Sequence, residues 1–567
     1  MSHLLAISIG PVQEFIAAAR RTRDLWFGSY LLSEVSRAVA IEVENQGSAL
    51  IFPASSKADN VANVILAELG AGDPKEVAAM AKEAAQNRWL KFVEDARVAA
   101  SGVIREEIWK DQEADVIEFY AAWVPHTDPK NYRDDRARVM RLLAGRKNCR
   151  DFKQPRFNDA GLPKSSLDGQ RPTVLVGPRP GESRETYRDN WPKKLRLSPG
   201  EQLDVVGVTK RLGKKTGEDH PRYPSVARVA AETWLQGLQS RDRDKLQRLK
   251  DACQKLESRG LNTVREEKYQ YFPYEGTVIY KDRHTDLKKE LGLGDGELAE
   301  IAAALKNIGG EPNPYLAALV ADGDKMGAAL SKLESVEAHR MLSGKLATFA
   351  SGAKAIVAAH SGVLVYAGGD DVLAFVPVHT CLNCARALRD RLRRETGMSL
   401  SVGVAIGHFM ENLEDLRDYG QFAEKAAKAV EGKDALAVHL HKRGGSPIHV
   451  RGRWSDNPDE RLTKFAELMN QGIIPTKLPY ELRDMAKLYE PWKDKADSAI
   501  RMDLIRLIAK KQSRGVDTVK EALDGYLHEM NSAKLLSLAV ELLVARQLAT
   551  ALRQAGEGPA RVAEVPT

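Results

Sequence analysis

The feature that most constrains this chain is a pair of adjacent carboxylates between two short apolar runs. Residues 363–367 and 372–376 are apolar and include Val, Phe and Tyr, and Gly368-Gly369-Asp370-Asp371 separates them. Such runs, interrupted by two glycines, are typical of two strands joined by a tight turn. Adjacent like charges repel and raise each other's pKa, so this pair needs a cation or a solvated tip. The motif alone also fits an ordinary turn.

A second acidic stretch lies upstream and favours a site over an ordinary turn. An apolar run ends at Asp322-Gly323-Asp324, directly before a helical pattern. The sequence predicts, in order, strand 316–322, a helix to about 359, strands 363–367 and 372–376, helix 380–395, strand 400–407, helix 412–431 and strand 436–441. This ferredoxin-like order places the first and third strands side by side. We therefore expect Asp322 to lie beside the acidic turn.

Carboxylates on two adjacent strands predict a palm domain, in which two divalent ions roughly 3.5–4 Å apart assist phosphoryl transfer. We expect Asp322, Asp370 and Asp371 to be the catalytic residues and the metal ligands. Two Mg²⁺ or Mn²⁺ ions fit best, because these ligands are oxygen atoms with no His or Cys beside them. The predicted reaction is nucleotidyl transfer from a nucleoside triphosphate. Glycines that allow close backbone approach complete the predicted nucleotide site: Gly323, Gly368 and Gly369.

The beginning of the chain repeats the same strand-loop-helix unit. Residues 4–10 form an apolar run that leads into a helical pattern ending at about residue 45. Gly10 and Val12 stand where Asp322 and Asp324 stand in the downstream unit. The sequence therefore predicts a first palm that lacks the metal carboxylates and faces the second palm.

Four motifs in combination resemble a known family: residues 9–16, 320–327, 367–375 and 401–408. They are similar to the large palm-containing subunit of type III-B CRISPR effector (Cmr) complexes, over nearly the whole chain. The resemblance implies adenylyl cyclase/GGDEF-like palms, ATP as substrate, cyclic oligoadenylates as products and activation by target RNA. It also implies CRISPR RNA, target RNA and other Cmr subunits as partners. Many relatives begin with a nuclease domain that uses a His-Asp doublet, and because no His-Asp dipeptide occurs here, we expect no such domain and no DNA cleavage.

The predicted fold class is α+β, with two ferredoxin-like palms, a helical connector and a C-terminal helical bundle. The domains are expected at 1–222 for the first palm, 223–308 for the connector, 309–447 for the catalytic palm and 448–567 for the C-terminal helices. Within the first palm, we predict strands at 49–53, 173–177 and 203–209 and a largely helical insertion over 74–170.

Several basic groups are candidates for binding phosphate or RNA. Lys428, which resembles the family's helix-end lysine, and Lys442 are expected to neutralise triphosphate charge. Residues 145–157 interleave basic and aromatic side chains, which fits either an RNA contact or an exposed loop. One further set borders the nucleotide pocket according to the resemblance, although its spacing alone also fits a solvated basic face: Arg20, Arg21, Arg23, Asp24, Trp26 and Ser29.

Composition indicates a cytoplasmic globular protein. The net charge of +7 permits nucleic-acid contact. Four cysteines among 567 residues indicate a reducing compartment. Cys381 and Cys384 have the spacing of half a zinc site but no second pair, so no zinc is expected. The apolar segment 535–552 is interrupted by Glu541 and Arg546, which favours a buried bundle helix over a membrane span.

Two other functions compete with a target-RNA-activated oligoadenylate synthase. One is a free-standing GGDEF-like dinucleotide cyclase, and Asp371, where such cyclases carry Glu, argues against it. The other is a catalytically silent scaffold for RNA and partner subunits. The intact set of Asp322, Asp370 and Asp371 argues against the scaffold.

Overall fold

The protein was described from a computed structural model. The described residues are 2–70, 72–149, 161–177, 181, 195, 197, 200–214, 223–264, 266–294, 296–511, 519, 521, 523 and 530–556. Within them, helices pack against two β-sheets, one in each half of the chain. The α+β class predicted from the sequence is confirmed. The division into four domains at the stated boundaries stays a prediction.

The first sheet is ferredoxin-like and has the strand order β2-β3-β1-β4, with antiparallel neighbours throughout. Its strands are β1 (His3–Gly10), β2 (Ala49–Phe52), β3 (Val64–Leu69) and β4 (Glu118–Pro125). Its helices are α1 (Gln13–Ala17), α2 (Thr22–Asn45) and α3 (Pro74–Ala99). Leu5, Ile7 and Ile9 of β1 face the core that contains α2 and α3, because side chains alternate along a strand.

The first palm is more complete than the sequence predicted. Strand β4 pairs with β1 along its whole length, and α3 connects β3 to it, so both elements belong to the ferredoxin-like unit. The prediction that residues 74–170 are a largely helical insertion was therefore wrong for β4. The segment Glu118–Pro125 carries aromatic residues with alternating burial at its centre, which is a strand signal. Strand β3 was also missed.

Two predicted strands are absent from the described part of the first half. Residues 173–177 form only an isolated bridge between Leu175 and Ile104. Residues 203–209 overlap helix α6 (Val205–Leu212) instead of forming a strand. In the chain, α6 follows α4 (Glu106–Glu113) and α5 (Tyr132–Asn148). The Asp204 side chain caps α6 by accepting from the Gly207 N–H at 2.8 Å. Every residue of α6 is buried, and a short run buried on all sides lacks the periodicity that separates helix from strand.

The second sheet has the order β10-β9-β8-β5-β7-β6. Its strands are β5 (Tyr315–Gly323), β6 (Val363–Gly368), β7 (Asp371–Pro377), β8 (Leu400–His408), β9 (Ala435–Leu440) and β10 (Ile448–Arg453). Its helices are α11 (Met326–Ser331), α12 (Val336–Ala359), α13 (Cys381–Thr396) and α14 (Leu413–Lys428). The predicted pairing of the first and third strands is confirmed, because β5 lies beside β7. Strand β10 was missed, and it extends the sheet past residue 447.

Strand β5 is apolar without interruption because it is buried on both faces. Ala317 and Leu319 face the core shared with α12 and α13, whereas Leu316 and Ala318 face the core shared with the connector. Connector helices are α7 (Val226–Arg241), α8 (Arg243–Gln254), α9 (His284–Leu291) and α10 (Ala299–Ile308). Strand β5 is therefore the centre of this half of the molecule.

The C-terminal helices are α15 (Pro458–Asn470), α16 (Leu478–Tyr489), α17 (Asp497–Lys511) and α18 (Ser532–Ala555). Helix α18 is long and apolar enough to cross a membrane by length and composition, but most of its apolar window is buried inside the protein. Its Glu541 pairs with Arg461 of α15 through two hydrogen bonds of 2.8 and 3.0 Å. This packing is that of a bundle helix.

The end of α18 is fastened to the connector and to the segment before β5. Any side chain at Gly237 of α7 would collide with the backbone carbonyl of Gln554. The side chain of Gln554 accepts from the Asn313 N–H at 2.7 Å and donates to the Glu311 carbonyl at 2.8 Å. One glutamine thus joins the C-terminal bundle to the residues that lead into β5.

Candidate active site

The strand register brings three carboxylates together at one end of the second sheet. Ala321 of β5 pairs with Val372 of β7, so the next residues, Asp322 and Asp371, lie side by side. Asp370 occupies the tip of the β6–β7 hairpin. One oxygen from each of the three carboxylates lies within 4.8 Å of the other two. The structure thus brings together the three residues predicted to be catalytic.

Two glycines allow this approach. A Cβ at Gly323 would lie 2.6 Å from Oδ2 of Asp370, closer than real Cβ contacts allow. Gly369 has φ of 64°, in the left-handed region that the hairpin turn requires. Gly368, the remaining glycine of the predicted site, would collide with the Tyr366 hydroxyl if it carried a side chain.

Asp370 and Asp371 lie where burial disfavours their ionised forms. Burial raises the pKa of Asp370, although backbone N–H groups of Asp370 and Gly323 bond to the carboxylate and oppose the shift. Desolvation, followed by the charges of Asp370 and Glu424, raises the pKa of Asp371 to about 7. The Asp371 side chain keeps an exposed edge, so solvent screens part of this repulsion. A site of this kind favours a cation.

Helix α14 supplies a lysine and a further glutamate to the site. Its apolar residues Leu413, Leu416 and Ala423 recur on one face and pack on the sheet. A side chain at Gly403 of β8 would collide with the backbone of Glu424, so this glycine lets the helix lie directly on the strand. Lys428 forms an ion pair with Oδ2 of Asp322, and its Nζ lies 3.2 Å from Oε1 of Glu424.

Asp324 does not join the carboxylate group. Its side chain, only 3% exposed, accepts hydrogen bonds from the Ser399 hydroxyl at 2.9 Å and the Ser401 hydroxyl at 2.8 Å. It also accepts from the Asp434 N–H at 2.9 Å. Asp324 therefore ties the end of β5 to the starts of β8 and β9, and its contribution to the site is to hold Asp322 in place.

The turn before β9 brings a second lysine to this end of the sheet. Gly432, Lys433 and Asp434 all have positive φ, of 81°, 60° and 46°. A left-handed backbone is strained for residues other than glycine, and here it presents the Asp434 N–H to Asp324. The charge of Lys433 lowers the pKa of Lys428, after the larger effect of burial. Lys433 is thus electrostatically coupled to the site.

Lys442 lies elsewhere, contrary to its predicted role in nucleotide binding. Asp322 pairs with Ser401 at one end of β8, whereas Leu440, two residues before Lys442, pairs with Ile406 near the other end. At about 3.3 Å per residue, these two points on β8 are roughly 17 Å apart. We therefore correct the prediction and replace Lys442 by Lys433. The sequence shows that Lys433 precedes β9 and that Lys442 follows it. It does not show which end of β9 lies beside the carboxylates.

The first palm contacts the strand that carries the acidic hairpin. The loop between β2 and β3 occupies the position that the acidic turn holds in the second palm, and its Asn60 side chain donates to the Ala367 carbonyl at 2.7 Å. Asp59 of the same loop accepts from the Ser351 hydroxyl at 2.8 Å. At a third point, the Tyr132 hydroxyl and Nδ1 of His339 share a hydrogen bond of 2.6 Å.

Three members of the polar set at the start of α2 are buried or packed against other side chains, whereas Arg20 is exposed. Asp24 is 1% exposed and accepts from Arg211 of α6 at 2.8 Å. Ser29 is also buried. Trp26 stacks on Tyr223 with a centroid distance of 5.3 Å. These residues anchor α2 to α6 and to the connector, and their place at the border of a nucleotide pocket stays a prediction, as it does for Arg20, Arg21 and Arg23.

The structure tests neither the prediction about zinc nor the prediction about an RNA contact. Cys381 and Cys384 are buried, unpaired thiols in the core beneath α13, and burial raises the pKa of each to about 12. The lack of zinc stays a prediction. The basic and aromatic segment 145–157 lies outside the described residues from position 150 onward.

The donor set of the site suits a hard divalent ion. Asp322, Asp370 and Asp371 offer only oxygen ligands within a small radius, which is what Mg²⁺ and Mn²⁺ prefer. Sequence reasoning missed Glu424 and the Ser399/Ser401 pair. Glu424 could have been found from its i,i+4 spacing to Lys428, because that spacing places the two on one helix face.

Two segments of the chain match models of known protein families. The family model described as Cas10/Cmr2, second palm domain, matches residues 315–437, and the model described as CRISPR-associated protein Cmr2, N-terminal, matches residues 4–107. Residues 315–437 are therefore similar to the second palm domain of Cas10/Cmr2, and residues 4–107 are similar to the N-terminal part of Cmr2. The first match contains Asp322, Asp370 and Asp371 together with Lys428.

One curated protein and two solved structures are also similar to this chain. Over 197 residues, the chain is 34% identical to the CRISPR system Cmr subunit Cmr2 of Pyrococcus furiosus. This alignment covers 28% of the present chain and 22% of the Pyrococcus protein. The fold is similar to a type III-B Cmr-beta structure in the apo state, with a TM-score of 0.62 and 14% identity over 90% of this chain and 77% of the other. For type III-B Cmr-beta bound to cognate target RNA, the TM-score is 0.64 with 13% identity, over 97% and 83%. The fold is therefore shared with these proteins.

Proposed function

We propose that this chain is a Cas10/Cmr2-like protein, the large subunit of a cytoplasmic type III-B RNA-guided complex and a nucleotidyltransferase. In this proposal, the second palm makes cyclic oligoadenylates from ATP when the complex pairs with target RNA. The observation that carries the proposal is the convergence of Asp322, Asp370 and Asp371 from two adjacent strands. The match of residues 315–437 to the second palm domain of Cas10/Cmr2 supports it.

Each residue of the site has a proposed part. Asp322, Asp370 and Asp371 hold two Mg²⁺ or Mn²⁺ ions, which would neutralise the charge that develops on the phosphates during transfer. Lys428 and Lys433 provide further positive charge for the triphosphate. The glycines described above let the nucleotide approach the backbone.

The facing palm supplies the second half of the proposal. One ATP would lie at the carboxylates as donor, and another would be held against the first palm as acceptor. The loop that contains Asn60 touches β6 directly before the acidic hairpin, so the position of the first palm bears on the position of the carboxylates. A misplacement of reacting atoms by about 1 Å can reduce a rate about 100-fold. Target RNA could therefore control the rate by shifting one palm against the other.

The test is nucleotide polymerisation by the assembled complex. Complex that contains this chain, CRISPR RNA and partner subunits is incubated with labelled ATP and Mg²⁺, with and without complementary RNA. We expect oligoadenylate products only with complementary RNA, and little product from the chain alone. Equal turnover by the isolated chain would favour a free-standing cyclase, and no product under any condition would favour a scaffold.

A further inference from the structure

The ammonium group of Lys428 lies among the carboxylates that would bind the metal. Its Nζ pairs with Oδ2 of Asp322, and both side chains are largely shielded, at 25% and 30% exposed. We infer that Lys428 competes with divalent ions for Asp322 and that its ammonium group must leave this carboxylate before an ion binds there. This inference rests on the proposed metal-dependent function of the site.

An oxygen atom that accepts from an ammonium group has less to offer a divalent ion, and the two cations repel at contact distance. Lys428 therefore competes with the metal for Asp322. The competition has a structural purpose, because Asp322, Asp370 and Asp371 lie within 4.8 Å of one another and need positive charge to stay together. The ammonium group of Lys428 is one source of that charge.

Glu424 gives the displaced ammonium a second position. It precedes Lys428 by one helical turn on α14, is buried, and already has Oε1 at 3.2 Å from Nζ. A rotation of the lysine side chain exchanges Asp322 for Glu424 without movement of the helix. In the second position, the ammonium stays at the edge of the site, where it can pair with a triphosphate. The lysine thus opposes binding of the metal alone and favours binding of the nucleotide.

The experiment measures Mn²⁺ binding by the full chain, from the electron paramagnetic resonance signal of free Mn²⁺. Without nucleotide, we expect Lys428→Met to bind Mn²⁺ about tenfold more tightly than the wild type. With Mn²⁺ saturating, the same variant should bind a non-hydrolysable ATP analogue about tenfold more weakly. Opposite signs from one substitution are the signature of the exchange. In thermal melts, added Mn²⁺ should raise the melting temperature of Lys428→Met more than that of the wild type.

Lys425→Met is the matched control. Lys425 lies on the same helix and carries the same charge, but its Nζ lies over the Phe422 ring at 5.9 Å. Its substitution should leave Mn²⁺ affinity unchanged, whereas Glu424→Gln should weaken Mn²⁺ binding by removing the second position. The inference is overturned if Lys428→Met binds Mn²⁺ no more tightly than the wild type, or if Lys425→Met gains as much. If Asp370→Asn with Asp371→Asn still binds Mn²⁺ normally, the proposed metal site itself is wrong.

Discussion

The side chain of Asn60 in the first palm donates a hydrogen bond of 2.7 Å to the carbonyl of Ala367, the residue before the Gly-Gly-Asp-Asp hairpin. The two residues are 307 positions apart in sequence. This bond connects the palm that lacks the three carboxylates to the strand that presents two of them. It provides a direct test of whether the first palm aligns the site.

Asn60→Ala should slow nucleotide polymerisation by the RNA-loaded complex about tenfold while leaving Mn²⁺ affinity unchanged, because it alters alignment and no metal ligand. Ser351→Ala is the control, since it removes the more exposed bond to Asp59 at the same interface. Initial rates and Mn²⁺ titrations are compared for both variants. Equal rates for Asn60→Ala and the wild type would show that the bond from Asn60 does not align the carboxylates for the reaction.

Asp370→Asn with Asp371→Asn should abolish oligoadenylate synthesis and Mn²⁺ binding without loss of folding. The substitution removes ligand charge at a solvent-reachable tip whose carboxylates repel each other. Asp244→Asn, at an exposed position of α8, is the control for a general effect of charge. Synthesis at the wild-type rate by the double variant would refute the site assignment.

Asp324→Ala should destabilise the protein by about 3 kcal/mol, because it leaves two hydroxyls and one backbone N–H without their charged acceptor. Asp322→Ala removes a partly exposed ion pair and should change stability by no more than about 1 kcal/mol. Urea unfolding followed by circular dichroism distinguishes the two. The reverse order of stabilities would mean that Asp324, and not Asp322, is the ligand.

Stability should decline as the pH falls from 6.5 to 4, in part through His339. Burial, followed by the charge of Arg136, lowers the pKa of His339 to about 4. In this window, the unfolded chain binds a proton that the folded chain does not, so the folded state loses about 1.4 kcal/mol per pH unit for such a group. His339→Asn, which keeps a hydrogen-bonding partner for the Tyr132 hydroxyl and does not titrate, should flatten the dependence. Identical slopes for variant and wild type would contradict this assignment.

Native protein should react with maleimide at one thiol of four. Cys149 is exposed, whereas Cys253, Cys381 and Cys384 are buried. Burial raises the pKa of the last two to about 12, so the reactive thiolate is scarce. Mass spectrometry should find one adduct in buffer and four in urea. Release of zinc on unfolding would show that Cys381 and Cys384 hold a metal.

The second palm could be predicted closely because its signals are local. A continuous apolar run identifies β5, two glycines identify the β6–β7 turn, and together they place Asp322 beside Asp371. The first palm was harder, because β4 follows 48 residues after β3 and carries no motif. Helix α6 was taken for a strand because Val205, Val206 and Val208 are buried on every side, and packing outweighed β propensity there.

The remaining errors concern contacts that only the folded chain defines. Lys442 and Lys433 both flank β9, and pairing with β8 decides which of them is near the carboxylates. Asp324 and Asp322 are two residues apart in one motif, and the hydroxyls of Ser399 and Ser401 decide that Asp324 is structural. No local pattern in the sequence determines these contacts.

The attachment of Gln554 has a mechanical consequence. Its side chain holds Asn313, and two residues later the chain enters β5, which ends at Asp322. A shift of α18 along its axis would thus be transmitted to the start of β5, the strand that carries Asp322 near its other end. The C-terminal bundle is thus coupled mechanically to β5 through the side chain of Gln554. A partner protein that binds the bundle and displaces α18 would move Asp322 without contacting either palm.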